Sequence, residues 1–148
     1  MATTTATFTL TSADLLSSAL SISASMTLYK DGTTSTGLDQ MNYHRAIIPL
    51  GSPTQFDLIA ESAALSEDAS YVYIINKSTD KADYITISIN SEIIGSLWAG
   101  DWLWMPWDCD LTAAANDSSI EIQAFNNAIP VEYALFHNGE TLPTASDA

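Results

Sequence analysis

The chain has 148 residues, 47% of them hydrophobic and 9% aromatic, which is enough for one domain with a buried core. Eighteen acidic side chains face four basic ones, a formal charge of −14, which excludes the clustered Lys and Arg of a nucleic-acid surface and opposes contact with an anionic membrane. The abundance of Ile, Leu, Trp and Tyr excludes a disordered acidic chain, and the single cysteine excludes an internal disulfide.

The start, MATTTATFTL, lacks the basic opening and long apolar run of a secretory signal, and no segment has the apolar length to cross a bilayer, so a soluble compartment is expected. Within Ala2 to Thr11, Phe8 and Leu10 are the apolar anchors of a Thr-rich segment, which reads either as an extended arm or as an ordinary first strand. Asp14 to Ala19 has helical character, with Ser12 or Asp14 as the N-cap. From Leu20, the residues Leu20, Ile22, Ala24, Met26 and Leu28 alternate with Ser21, Ser23, Ser25 and Thr27. Period two over that length predicts a half-buried antiparallel strand.

Lys30-Asp31-Gly32 supplies a turn, and polar sequence follows through Gly37. Tyr43 to Leu50 and Gln55 to Ala60 are strand-length apolar runs separated by Gly51-Ser52-Pro53. Glu61 to Ala69 reads as a helical turn or a loop. Tyr71 to Asn76 and Asp83 to Asn90 are predicted to form a hairpin, the second with Ile85, Ile87 and Ile89 on one face. Asn90-Ser91 returns the chain into Glu92 to Leu97, and Gly100-Asp101 turns it into Trp102 to Met105. Ser119 to Phe125 and Val131 to Phe136 are predicted to pair across Asn126-Asn127. Asn138-Gly139 ends the folded part.

Turn signals at about 8–12-residue spacing predict an all-β protein, an antiparallel β-sandwich of about 8–9 strands, jelly-roll-like or Ig-like, with an extended N-terminal arm. The expected organisation is an arm and helical turn over 1–19, a sandwich over 20–137 and an acidic tail over 138–148.

Motifs for chemistry are sparse. His44 and His137 lie at strand ends outside any nucleophile or metal pattern, and the nucleophile elbow, phosphate loop and H-E-x-x-H are absent from the sequence. The acidic residues Asp31, Asp39, Glu61, Glu67, Asp68 and Asp80 fall where a solvated surface places them, rather than in a hydrolase pair. Asp108, Asp110 and Asp117 offer hard oxygen ligands, but the EF-hand glycine is missing and Ser119 stands where its Glu belongs. Cys109 between Asp108 and Asp110 sits in a negative field that disfavours a thiolate. The Asn76-Lys77-Ser78 sequon matters only in a glycosylating secretory host. No catalytic residue, cofactor or metal is expected.

The most unusual stretch is Leu97 to Asp110, LWAGDWLWMPWDCD, which holds all four tryptophans. Alternation puts Trp102 and Trp104 on one face and Leu103 and Met105 on the other, so one face is core. The second face is open to three readings: further core, a partner interface, or a platform for sugar rings. Phe8, Leu10, Trp98, Trp102, Trp104 and Trp107 are the candidate partner-contact residues.

The order TFTLTSADLLSSALSISASMTL, GTTSTGLDQ, YVYIINKSTDKADYITISIN, IIGSLWAGDWLWMPWD and VEYALFH, covering about Ala6 to His137, resembles a group of small virion structural proteins of marine tailed phages, cyanophages in particular. WAGDWLWMPWD and EYALFH are its more particular segments. The strand–Asn–short-loop–strand element and the run from Gly95 to Asp101 are shared with many other phage β-proteins. The resemblance implies a capsid decoration or cement protein that clamps neighbouring major capsid subunits on the particle exterior. It would be made in the host cytoplasm, form a homo-oligomer or symmetric array, and act as no enzyme. A tail or neck protein, and a carbohydrate-binding module for host adsorption, are the competing expectations.

Overall fold

The structure is a computed structural model, and it describes residues 4–15, 17–29, 40–51, 56–59, 70–89, 91–107 and 120–137. Ten strands run through them: β1 (Thr4–Ser12), β2 (Leu20–Leu28), β3 (Gln40–Ile48), β4 (Phe56–Ile59), β5 (Ser70–Asn76), β6 (Tyr84–Ile89), β7 (Glu92–Trp98), β8 (Trp102–Trp107), β9 (Ile120–Phe125) and β10 (Ile129–His137). The chain is all-β, as its alternation predicts.

Eight of these strands form two four-stranded antiparallel sheets, ordered β3-β10-β5-β8 and β4-β9-β6-β7. Numbered from β3, the orders are 1-8-3-6 and 2-7-4-5. This is the double Greek key of a jelly roll, and it decides between the two sandwich types expected. Inward-facing side chains of both sheets meet in one core. Val72, Ile74, Val131 and Leu135 come from the first sheet, and Ile85, Ile87, Ile120 and Ile122 from the second. β-Branched residues dominate because they pack well on a pleated surface.

Two predicted hairpins do not form. β5 and β6 lie in different sheets, and so do β9 and β10. Turn residues mark where the chain reverses, but whether it pairs back or crosses to the opposite sheet depends on distant partners. Only β6 and β7 make the hairpin that Asn90-Ser91 announces, with Ser91 at φ 63°. A bulge between Ile87 and Ser88 shifts that register. At the β7–β8 link, Gly100 takes φ +87° and the Asp101 N–H donates to the Trp98 carbonyl at 2.8 Å, as a tight turn requires.

Polar side chains fasten the crossovers. Asn76 is fully buried, its Nδ2 donating to the Leu97 carbonyl at 3.0 Å and its Oδ1 accepting from the Ser78 N–H at 2.9 Å. Asp83, 3% exposed, accepts from Ser78 Oγ at 2.6 Å and from Asn127 Nδ2 at 2.8 Å, while its backbone carbonyl accepts from the Ala99 N–H at 3.1 Å. Three connections are thereby tied to one residue, two through its carboxylate and one through its backbone carbonyl.

The N-terminal organisation differs from expectation. Among the described residues β2 pairs with β1 and with no sandwich strand, in an unbroken register from Thr4↔Leu28 to Ser12↔Leu20. The arm is therefore a two-stranded hairpin, and the boundary expected between 19 and 20 falls inside it. No helix forms over the described residues of 14–19. Ser12 Oγ does accept from the Leu15 N–H at 3.1 Å, the bond a cap would make, but here it closes a bend rather than starting a helix. A cap contributes about 1 kcal/mol, and here the two strand-forming flanks decide the backbone. Residues 30–39, 60–69 and 108–119 and the tail 138–148 lie outside the described residues. With them go the turn at Lys30-Asp31-Gly32, the ambiguous stretch near Glu61, the Asp108/Asp110/Asp117 cluster and Cys109.

Candidate interaction surface

The outer face of the β3-β10-β5-β8 sheet is built by simple alternation. Val72 and Ile74 point into the core, so Tyr71 and Tyr73 point out. Registers Tyr73↔Trp104 and Ile75↔Trp102 set the β8 tryptophans beside them, and Phe136 joins opposite Tyr71. The rings pack on one another. Tyr71 and Trp104 stack nearly parallel, at 5.4 Å and 9°, and Trp104 meets Phe136 edge-on at 5.1 Å. Trp102 is half exposed and lies 6.5 Å from Tyr73. Aromatic pairs in these geometries contribute about 0.5–1.5 kcal/mol beyond their burial.

The arm stands over this face. In the β1–β2 register, Ala6, Phe8 and Leu10 share a side with Ile22, Ala24, Met26 and Leu28, while the opposite side is entirely Thr and Ser. Phe8 meets Trp102 edge-on at 6.5 Å, and Leu28 at the hairpin root is fully buried. Between hairpin and sheet lies an apolar cleft of about 730 Å³, lined by Phe8 and Met26 on one wall and by Tyr73, Trp102, Trp104 and Phe136 on the other. Concave apolar clefts of this size are the usual form of a binding site.

At the β3 side, the face carries one charged cluster. Glu132 accepts hydrogen bonds from the Tyr43 hydroxyl and from Arg45 Nη2, with Lys77 Nζ at 3.9 Å. The Tyr43 bond, followed by the two cations, holds the Glu132 carboxyl below the ordinary carboxylate value, although partial desolvation works against them. The same bond raises the Tyr43 phenol.

The candidate residues separate into three places. Phe8, Trp102 and Trp104 come together at the cleft. Leu10 lies further along the hairpin on the same apolar side, half exposed. Trp98 does not join them: it belongs to β7 in the other sheet, against Tyr84 at 4.6 Å, and Tyr84 in turn stacks on Phe125 at 4.7 Å. Trp107 is buried in the core cluster, which removes it from any partner surface. Trp98 lies four and six positions before Trp102 and Trp104, an even spacing, but the turn at Gly100 moves the chain to the opposite sheet, and the alternation restarts there.

Tyr71, Tyr73, Phe136, Ile22 and Met26 complete the surface and were not singled out in the sequence. Parity was the available signal for the tyrosines, since they alternate with Val72 and Ile74. His44 faces inward and stacks on Tyr133 at 5.2 Å, and burial raises the Tyr133 phenol. Among the described residues no three His, Cys, Asp or Glu side chains converge as a metal site, and no helix is long and apolar enough to cross a membrane.

Comparisons with protein-family models, with curated proteins and with solved structures returned no match.

Proposed function

We propose that the protein is a non-enzymatic structural protein of a phage virion, a decoration or cement protein that clamps neighbouring major capsid subunits on the particle exterior. The observation that carries this reading is the aromatic face with a separate hairpin standing over it. A clamp needs a rigid body, a projecting element and an apolar seat, and these three are the β-sandwich, β1–β2 and the Tyr73–Trp102–Trp104 cleft. Jelly rolls are a frequent architecture of capsid and lectin domains, which is a fold-level analogy and adds only a prior. A strongly acidic exterior supports solubility of a protein held at high local density.

The test is decoration of particles that lack the protein. Purified chain is expected to bind in many copies and to raise the temperature at which the capsid opens. A chain without residues 1–28 is expected to bind at least about tenfold more weakly, the scale of one lost apolar anchor set. Equal decoration by the truncated chain would refute the clamp. Binding in few copies at a single vertex would move the protein to the neck or tail.

A second reading rests on the parallel Tyr71–Trp104 pair and the half-exposed Trp102, which together offer π-faces of the kind sugar rings stack on. It predicts glycan binding that Trp102→Ala abolishes while the fold is retained. Glycan retention unchanged in that variant would remove it.

A further inference from the structure

The hairpin is the least supported element of the fold. Among the described residues β1 and β2 pair only with each other, and an isolated two-stranded hairpin is at best marginally stable in water. Its apolar side is half covered: Phe8, Leu10, Ile22 and Met26 are each 44–46% exposed. The sandwich has the matching deficiency. On the same outer face, beyond the cleft, Met41, Tyr43 and Ile47 of β3 are all exposed, Ile47 by 70%.

Charge decides what covers them. At −14, two copies of the chain repel one another over most of their surfaces. Neither β1 nor β2 contains an ionisable residue. Among the described residues on the outer face of the first sheet, the one carboxylate is Glu132, and it is already matched by Arg45 and Lys77. These are two surfaces on which one copy can meet another without opposing like charges. They are also complementary, an apolar hairpin side and an aromatic sheet face, and every copy carries both.

We propose that the hairpin of one copy lays its apolar side on the β3 end of the aromatic face of a second copy, in reciprocal exchange. β2 ends at Leu28 and β3 begins at Gln40, so the eleven residues 29–39 join them, a length that spans at most roughly 40 Å when extended. That length is enough for a hairpin to serve a neighbour rather than its own body. A reciprocal contact of this kind uses the same two patches on both copies, as the interface of a two-fold dimer does. The inference goes beyond the particle reading and is measured on purified protein alone.

The experiment is sedimentation velocity on the intact chain, on Ile22→Asp in the hairpin and on Ile47→Asp in the sheet face, with melting curves for all three. The intact chain is expected to form a discrete oligomer at about 100 µM, since such assembly depends on protomer concentration. Its mass-average is expected to rise between about 0.05 and 0.5 M NaCl, as the Debye length shortens and self-repulsion fades. Each variant is expected to weaken association about tenfold or more, equivalent to about 1.4 kcal/mol, while melting with the parent's cooperativity. An equimolar mixture of the two variants is expected to associate more strongly than either alone, because one supplies an intact hairpin and the other an intact face.

A monomer at high salt, unchanged association in both variants, or a mixture no better than its parts would overturn the proposal. If Ile22→Asp fails to fold, Ile47→Asp and the salt series still decide it. A monomer that decorates particles would defeat this inference and leave the particle reading standing. A discrete oligomer that binds no particle would do the reverse.

Discussion

Replacing Asp83 by Ala removes the acceptor for two side-chain donors at once. Ser78 Oγ at 2.6 Å and Asn127 Nδ2 at 2.8 Å both point at this carboxylate, which is 3% exposed. Hydrogen bonds to a charged group contribute about 1.5–3 kcal/mol each, so the gross loss is about 3–6 kcal/mol. Asn127 is exposed and Ser78 partly so, and water restores some of that, leaving about 2–4 kcal/mol. Domains of this size lose roughly 2–4 °C in melting temperature per kcal/mol, so Asp83→Ala is expected to melt roughly 10 °C below the parent. Asp83→Asn keeps both bonds in neutral form, because its Oδ1 accepts from Asn127 and its Nδ2 donates to the Ser78 hydroxyl. It is expected to lose about 1–2 kcal/mol. The assay is urea unfolding followed by tryptophan fluorescence, with the midpoint compared at constant m. An Ala variant within about 0.5 kcal/mol of the parent would refute the role given to this network, the size ordinary surface changes show.

Trp107→Ala is expected to cost about 3–5 kcal/mol by chemical denaturation, since the ring is buried among core side chains. Trp102→Ala, removing a half-exposed ring, is expected to cost less than half as much; equal losses would contradict the division of the tryptophans between core and surface. Tyr43→Phe is expected to move the Glu132 titration, followed by carboxyl NMR, up toward the ordinary value, because the Tyr43 hydrogen bond is the largest influence holding it down. The sign follows: with its folded pKa depressed, Glu132 favours the fold above its ordinary value of 4.5, and that contribution disappears as pH falls through the folded pKa. Ser91→Gly is expected to stabilise the chain by about 0.5–1 kcal/mol in thermal unfolding, because Ser91 holds φ 63° and glycine does so without the Cβ clash. A destabilised Gly variant would show that the Ser91 side chain does more there than occupy the turn.

Strand positions were legible in the sequence because they rest on local alternation. Ile85, Ile87 and Ile89 alternate with Tyr84, Thr86 and Ser88, and β6 lies where that pattern places it. Pairing was much less legible. β3 finds β10 and β4 finds β9, and no short-range signal encodes either choice. The same limit explains the surface. Trp102 and Trp104 share a face by parity within one strand, which the sequence displays. That Trp98 faces the other way depends on a crossover between sheets. That Tyr71 and Phe136 complete the ring cluster depends on the β5–β10 register. The hairpin was half legible: Leu20 to Leu28 reads as an amphipathic strand, but its partner sits among threonines whose pattern is equally that of an arm.

Strand order also dictates timing. Gln40–Ile48 opens the sandwich, yet its one sheet neighbour is the last described strand, Ile129–His137, and Phe56–Ile59 likewise waits for Ile120–Phe125. At synthesis rates of about 5–20 residues per second, the first strands stay without their mates for several seconds. The β4-β9-β6-β7 layer cannot close until β9 has been made, nor the β3-β10-β5-β8 layer until β10 has left the ribosome. Folding is therefore a late, all-at-once event for the body, whereas the hairpin, whose two halves are near neighbours along the chain, can zip up as it emerges.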